Sequence, residues 1–440
     1  MTPEQNEFLT RVGPGTPAGD LLRRYWHPVS AAGELTAEKP IKEVRILGED
    51  LIVFRMPPAE GQSQPGYGLV GKHCPHRRAS FTYGKVDPQG IRCPYHGWKF
   101  NAAGRCLEQP AEPANSTYKD RIQHTAYPVQ MLGGLLFAYL GPAPAPLLPR
   151  WDVLARKDGR RAVIVESVIN CNWLQAMENS VDPAHLYWLH GTLGSPNMPV
   201  SAERFNALGL QAEYGEKNEF FRFEYGIQKR RTTLGDRPDD PPLLEQHPLV
   251  FPTTLRLVLR LNSVRKQGFR YAQHFTEEEA KLGYLHNMQL RLPIDDTHTL
   301  QYQVNFMPSQ TTRSNPDRDD VPFEYCELRT PQGEYDMNIV TAQDALAWES
   351  QGALTDRSQE HLGVSDRGIA MLRKLLKDQI DVVREGKEPI GVIRDPQKNM
   401  VVDLDAFHEA YGLYRTETRA SEPAEYPEEP RRAANRCPAD

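Results

Sequence analysis

Cys74-Pro75-His76 and Cys93-Pro94-Tyr95-His96, with residues 77–92 between them, form the stretch on which the reading of this chain turns. Each half offers one thiolate and one imidazole, and each places a proline directly after the cysteine. Two such halves read as loop tips of a β-rich module that meet around a shared centre. A two-iron, two-sulfide cluster of mixed ligation needs this set, with two Cys on one iron and two His on the other. Neutral imidazoles in place of two thiolates remove negative charge and raise the reduction potential above that of an all-Cys cluster. A structural zinc site could also use two Cys and two His, but its spacing normally pairs like with like. Here the types alternate. A Cys74–Cys93 disulfide would need an oxidising compartment, which nothing else in the sequence indicates.

The pattern resembles the Rieske motif. Respiratory-complex Rieske proteins carry a further cysteine in each loop, whereas Arg77, Arg78, Tyr95 and Gly97 stand beside the donors here. That departure points to the oxygenase or ferredoxin branch. The resemblance implies that Cys74, His76, Cys93 and His96 hold a [2Fe-2S] cluster.

At 440 residues the chain exceeds what a lone cluster-binding module needs, and two domains are expected. A hydrophobic share of 39% supplies core for both, and 25% charged residues is ordinary for a globular enzyme. The net charge of −6 and pI near 6.1 argue against nucleic acid or an anionic membrane as the main partner. No basic region with an apolar run follows Met1-Thr2-Pro3-Glu4, so no signal peptide is expected. The most apolar stretch, Met131–Leu140, is too short to cross a bilayer and is expected to be one buried strand. Cys74, Cys93, Cys106, Cys171, Cys326 and Cys437 lack disulfide-framework spacing, in keeping with a reducing cytoplasm. Cys106 reads as inert packing.

Residues 3–26 are expected to be largely helical, with a break at Gly13-Pro14-Gly15. Two β runs, Val44–Leu47 and Leu51–Phe54, follow around the turn Gly48-Glu49-Asp50. Gly66-Tyr67-Gly68-Leu69-Val70-Gly71 matches a dinucleotide fingerprint by letter, but that fingerprint needs a strand before it and a helix opening on its glycines. Here a Pro-containing loop precedes and the first donor loop follows, so a strand is expected and reducing power should come from a separate protein. Leu135–Tyr139 closes a first, all-β domain of residues 1–140, and the Pro-rich segment 141–153 reads as a connector. Residues 154–416 then form a larger domain, giving an α+β chain. Its β runs, Ala162–Val168, Phe220–Tyr225, Leu255–Leu261, Tyr284–Leu292 and Thr299–Phe306, are expected to make an antiparallel sheet flanked by helices. Ile369, Leu372, Leu376 and Ile380 form one stripe of a helix over 366–386, and residues 417–440 read as a charged, loosely docked tail.

In the second domain, Asn172 and Gln175 make a capping pair at a helix start. Asp182-Pro183-Ala184-His185 follows, and then His190. Asp182 and His185 would share one face of a regular helix. His185 and His190 stand about 140° apart on such a helix, so they converge only where the turn is widened or broken. Pro183 lacks an N–H and disturbs the ladder at that place. Two His with one distant carboxylate make the facial triad of oxygen-activating ferrous enzymes. Alone, the two His read more simply as polar residues at a helix end.

With the upstream motif, Asp182-x-x-His185-x4-His190 resembles the α-subunit of Rieske non-haem iron aromatic-ring oxygenases, over nearly the whole chain. Gly19–Trp26, the paired donor loops, and the run from Asp356-Arg357-Ser358 to Asp366-Arg367-Gly368 narrow the resemblance to the phthalate dioxygenase-like group. It implies a terminal oxygenase using O2 and electrons from a separate NAD(P)H-dependent reductase. The expected reaction is cis-dihydroxylation of a carboxylated, phthalate- or benzoate-like arene; O-demethylation of a methoxyarene is the alternative. An electron-transfer protein, the reading from another class, would carry no mononuclear iron. The resemblance further implies His185, His190 and Asp344 as ligands of mononuclear Fe(II). Asp356 and Asp366 are rivals to Asp344, each beside an arginine. It implies a ring-shaped trimer or a hexamer in which Asp182 links His96 to His185 across neighbouring subunits, a helix cap being the plainer role for Asp182. A substrate carboxylate calls for an arginine in a largely apolar pocket, and Arg230, Arg231, Arg256 and Arg260 are the candidates. Strand alternation puts Arg256, Val258 and Arg260 on one sheet face.

Overall fold

The computed structural model describes residues 1–190, 218–233 and 243–404. Two short helices come first. Pro3–Thr10 starts on a capping box between Thr2 and Gln5, and Pro17–Leu22 starts on Thr16; both place proline in the first turn, where its missing N–H costs nothing. The helical expectation overran at its far end, because Trp26 already opens a strand.

Three small sheets follow. Trp26–Ala31 pairs with Leu135–Tyr139, which pairs with Val129–Leu132. Met131–Leu140 is therefore not one strand but the tip of a hairpin, turned at Gly133 and Gly134 with φ of 63° and 89°. Ile41–Ile46, Glu49–Met56, Gly66–Gly71 and Ala126–Tyr127 form the second sheet. Its Gly66–Gly71 strand opens no helix. Gly68 is there for space: a Cβ would fall 2.3 Å from the Phe54 ring. Lys85–Asp87, Gly90–Arg92, Lys99–Phe100 and Cys106–Glu108 form the third, and the second donor loop joins its two middle strands.

The large sheet has eight strands in the order Asn218–Phe223, Gly226–Thr233, Leu243–Val250, Thr254–Arg260, Tyr284–Pro293, Thr299–Pro308, Gly159–Glu166, Phe323–Cys326. Neighbours are antiparallel except the last, which runs parallel to Gly159–Glu166. The expected antiparallel sheet is thus mixed at one edge. One face, with Val163, Met288, Val304 and Phe306, packs into a core shared with the amino-terminal helices, the Leu135–Tyr139 hairpin and the helix Arg367–Arg384. Each such fully buried side chain contributes roughly 1.5–3 kcal/mol. The other face, with Ala162, Ile164 and Leu285, packs against Ala342, Ala345 and Trp348 of the helix Val340–Ser350.

The Pro-rich segment after Leu140 is docked. The Trp26 indole donates to Pro146 O (3.1 Å) and Leu147 N–H to Ile393 O (2.9 Å). A buried ionic network ties the first helix to residues 178, 357 and 373. Glu178 accepts from Arg357 (2.8 Å) and Arg373 (2.6 Å), and Arg357 also donates to Asn6 (3.0 Å). Among the described residues no helix is long and apolar enough to cross a membrane. The expected tail, 417–440, and Cys437 lie outside the described residues.

Candidate metal centres

Both donor loops fold alike. Cys74 N–H donates to Ala79 O (2.8 Å) and Arg78 N–H to Cys74 O (2.9 Å); Cys93 N–H donates to Trp98 O (2.8 Å) and Gly97 N–H to Cys93 O (3.2 Å). The fourth residue after each cysteine is left-handed, Gly97 at φ 74° and Arg78 at φ 63°. Glycine takes this conformation freely, whereas Arg78 holds it at a cost of roughly 1–2 kcal/mol. The loops bury Cys74 and Cys93 and leave His76 exposed and His96 half-buried, with ring centroids 4.6 Å apart. Trp98 stacks flat on His76 (4.4 Å, 4°), and Tyr95 lies 3.7 Å from His96 with the Arg77 guanidinium over its ring. Burial, with the Cys93 thiol alongside, pushes the Cys74 thiol up to about 12. Two adjoining buried thiols become thiolates only beside a compensating metal charge. An inner sulfur pair and an outer imidazole pair fit a [2Fe-2S] group.

The second centre begins at Asn172, which caps the helix Trp173–Ser180 by accepting from Leu174 N–H (3.1 Å). Gln175 closes no box; its amide donates to Trp348 O (2.8 Å) and Gly352 O (3.0 Å). Because the helix ends at Ser180, Asp182 and His185 meet in the turn at Pro183 and not on one regular helical face. Asp182 accepts from Ala184 N–H (2.8 Å), and its other oxygen lies 3.7 Å from His185 Nδ1, an approach longer than a hydrogen bond. The helix Arg367–Arg384 touches this turn through Gly368, where a Cβ would lie 2.3 Å from Val181 O. From Leu186 to His190 the chain winds as a π-helix. That is the widening the spacing required, and it brings the His185 and His190 rings to 5.3 Å.

Asp344 arrives from the helix Val340–Ser350, with Oδ1 3.2 Å from His190 Nε2 and 3.7 Å from His185 Nε2. One donor atom from each of the three lies within 4.8 Å of the others. Burial opposes charge on Asp344, yet His190, His185 and Arg291 together hold its carboxyl below the usual range. Burial likewise opposes charge on Asp182, and His185, the Ala184 N–H and Lys229 outweigh it. Two imidazoles and one carboxylate suit ferrous iron with open positions. Asp356 instead accepts from Ser358 and Asp366 from Gly363 N–H, and neither joins the group.

One residue of this centre escaped the sequence reading. His190 Nδ1 lies 2.7 Å from Gln343 Oε1, and Gln343 Nε2 donates to Met337 O (2.6 Å). The donor bond to Met337 turns the amide oxygen toward His190, so Nδ1 carries a proton and Nε2, 3.2 Å from Asp344 Oδ1, is the atom left to offer a metal.

The arginine candidates divide. Arg256 is opposite Met288, so it points from the sheet face turned away from the helix Val340–Ser350, and it is buried in an ion pair with Asp152 (2.9 Å). That pairing engages Arg256 inside the protein, on the face away from Asp344. Arg230 lies 3.6 Å from Glu219 and over Phe221. The side chains of Arg231 and Arg260 lie outside the described part of the structure. Among the described residues Arg291 faces the metal side, and its place in the polar alternation Asn287, Gln289, Arg291 was visible but not weighed.

Comparison with known proteins agrees with this geometry. Residues 25–123 match the Rieske [2Fe-2S] domain, and residues 331–419 match a domain described as LigXa C-terminal domain like. The chain is 37% identical over 414 residues to the 5,5'-dehydrodivanillate O-demethylase oxygenase subunit of a Sphingobium species, covering 93% of this chain and 87% of that one. It is 29% identical to the phthalate 4,5-dioxygenase oxygenase subunit of Pseudomonas putida, covering 89% of each. Its fold is similar to that of NdmA from Pseudomonas putida, with TM-score 0.58 at 20% identity over 84% of this chain and 94% of that one. With both donor sets present and the similarity running almost end to end, the chain belongs to the α-subunits of Rieske oxygenases, in the phthalate dioxygenase-like group, and is an oxidoreductase with a [2Fe-2S] cluster and a mononuclear iron.

Proposed function

We propose that this terminal oxygenase oxidises an aromatic carboxylate, with O-demethylation of a methoxyarene acid ahead of ring cis-dihydroxylation. The observation that carries the reading is the presence in one chain of two donor sets, the paired Cys/His loops and the group His185, His190 and Asp344. In it Cys74, His76, Cys93 and His96 hold the cluster, and His185, His190 and Asp344 hold the mononuclear iron. When bound, the first supplies single electrons and the second the oxygen-activating centre. Trp98 and Tyr95 fix the rings of His76 and His96 at the exposed edge of the first domain, where a separate NAD(P)H-dependent reductase docks. Gln343 holds the proton of His190 on Nδ1, and Asp182 orients His185. In a ring-shaped trimer of cytoplasmic copies, Asp182 accepts from His96 of the next copy and closes the 3.7 Å gap to His185 Nδ1, since a carboxylate has lone pairs for both imidazoles.

The order of the two reactions rests on similarity. The relative that is 37% identical is named an O-demethylase. Dehydrodivanillate and phthalate, the compounds in the relatives' names, are both arene carboxylates. The test is a single turnover: dithionite-reduced protein meets O2 and 3-methoxybenzoate, and the products are followed with isotope-labelled oxygen. Formaldehyde and a phenolic acid support the reading. A cis-dihydrodiol carrying two labelled atoms restores dihydroxylation to first place, and cluster oxidation without product in a protein lacking mononuclear iron favours an electron carrier.

A further inference from the structure

The sheet face beneath the helix Val340–Ser350 carries a block of buried polar side chains. Arg291 is opposite Gln301, Gln289 opposite Gln303 and Asn287 opposite Asn305. Gln303 donates to Thr341 (3.2 Å), which fixes this as the face turned to Asp344, and Gln301 donates to Glu166 (3.1 Å). Such a floor under a metal centre is expensive unless its groups are paired.

Arg291 is the least satisfied of them. It is 2% exposed, and among the described residues no carboxylate lies within 4.0 Å of it. One Nη donates to Gln289 Oε1 (2.9 Å), the other reaches only the Met177 sulfur at 3.9 Å, and Nε has no partner. Gln301 Oε1 beside it has none either. The guanidinium carbon stands 6.0 Å from the ring of Trp348, one helical turn beyond Asp344. Gln289, between buried Asn287 and Arg291, is only partly buried, so the row is accessible at Gln289. Burial draws the Arg291 pKa down to about 10, which leaves it cationic at neutral pH. A planar cation with unused N–H donors, enclosed and facing a metal centre, is the chemistry that receives a carboxylate through two parallel hydrogen bonds.

We infer that Arg291 receives the substrate carboxylate, with the Gln289 amide beside it, so that the arene ring lies on the sheet floor between Arg291 and Asp344. This rests on the reading of the substrate as an arene carboxylate and adds which residue recognises it. Arg256, singled out from the sequence, lies on the opposite sheet face.

The test uses iron-loaded, full-length protein under anaerobic conditions, with calorimetric binding of three acid and amide pairs: benzoate and benzamide, 3-methoxybenzoate and 3-methoxybenzamide, biphenyl-3-carboxylate and its amide. The wild type is expected to bind at least one acid about tenfold or more tightly than its amide, the usual advantage of a charge-assisted pair. Arg291→Met should raise the Kd of that acid about 10–100-fold and shift the amide by less than about threefold, with iron and sulfide content unchanged. The inference is overturned if no pair shows acid preference in the wild type, or if Arg291→Met weakens acid and amide equally. It is also overturned if the variant loses mononuclear iron but keeps its acid preference. Should Arg291→Met not fold, Arg291→Lys decides: a point charge without the planar donor pair should weaken acid binding about tenfold, and unchanged affinity refutes the assignment. Aerobic turnover separates the two readings. Wild-type turnover of uncharged arenes alone sinks the aromatic-acid reading, whereas acid preference surviving Arg291→Met sinks only the role given to Arg291.

Discussion

Replacing Gln343 with leucine tests how the second centre is tuned. The change removes the acceptor for His190 Nδ1–H (2.7 Å) and the donor to Met337 O (2.6 Å), in a place where His190 is 1% exposed and Gln343 fully buried. Each buried group left unpaired costs about 1–3 kcal/mol. His190 has an escape: its proton can move to Nε2, where Asp344 Oδ1 stands 3.2 Å away and can accept it. That tautomer has no lone pair for a metal between His190 and Asp344. The metal-free protein is therefore expected to lose only the Met337 bond, about 1–3 kcal/mol, while iron must first drive the proton back. The expected loss of iron affinity is about 10–100-fold, the usual scale for partners of a ligating histidine. Iron titration against a competing chelator reads the affinity, and cluster absorbance with sulfide content shows that the first domain is intact. Gln343→Glu restores an acceptor and should recover most of the affinity. Iron binding within about threefold of wild type in Gln343→Leu would refute the tautomer argument.

Asp344→Ala should abolish mononuclear iron while leaving the cluster's absorption, and retained iron would move the third ligand to another carboxylate. Asp182→Asn should keep both metals and slow cluster-to-iron transfer about tenfold or more, because an amide cannot accept from two imidazoles; rapid single-turnover oxidation of its cluster would refute the bridge. Burial holds the His27 imidazole neutral down to about 4, with Nε2 2.8 Å from Leu22 O. Below pH 6.5 the unfolded chain binds a proton that the folded chain refuses, so stability should fall as pH drops from 6.5 to about 4. The loss is up to about 3 kcal/mol at about 1.36 kcal/mol per pH unit. His27→Gln should flatten that part of a denaturation curve measured against pH, and an unchanged slope would refute the assignment.

The cluster donors were legible because four distinctive residues sit in two short loops of one sequence neighbourhood. His185 and His190 were legible through their spacing, which already demanded a widened turn. Asp344 needed the family resemblance, since nothing local tells a metal carboxylate from a helix-surface one. The facing of Arg256 was not legible, for a definite reason. Alternation sorts strand residues into two sets but does not say which set faces the metal, and the set containing Arg256 faces the other way. Gly226–Thr233 and Leu243–Val250 were missed as strands because Lys229-Arg230-Arg231 and Pro248 interrupt the apolar alternation that marks a strand. Gln343 could not have been read, because its role exists only once His190 lies against it.

The ionic network around Glu178 also sets an order of events during synthesis. Asn6 waits for Arg357, 351 residues later, and at about 5–20 residues per second that interval is roughly 20–70 s. The four sulfur and nitrogen donors of the first domain are complete long before this, in sheets that close among residues 41–127. Asp344, and the two arginines that pair with Glu178 in the helix ahead of His185, come only after the large sheet. A stalled, clipped or partly folded chain can therefore turn red-brown with a fully assembled cluster and have no seat for the other iron. For this protein the colour of a preparation reports on its first third, and fitness for catalysis has to be counted in the third iron atom.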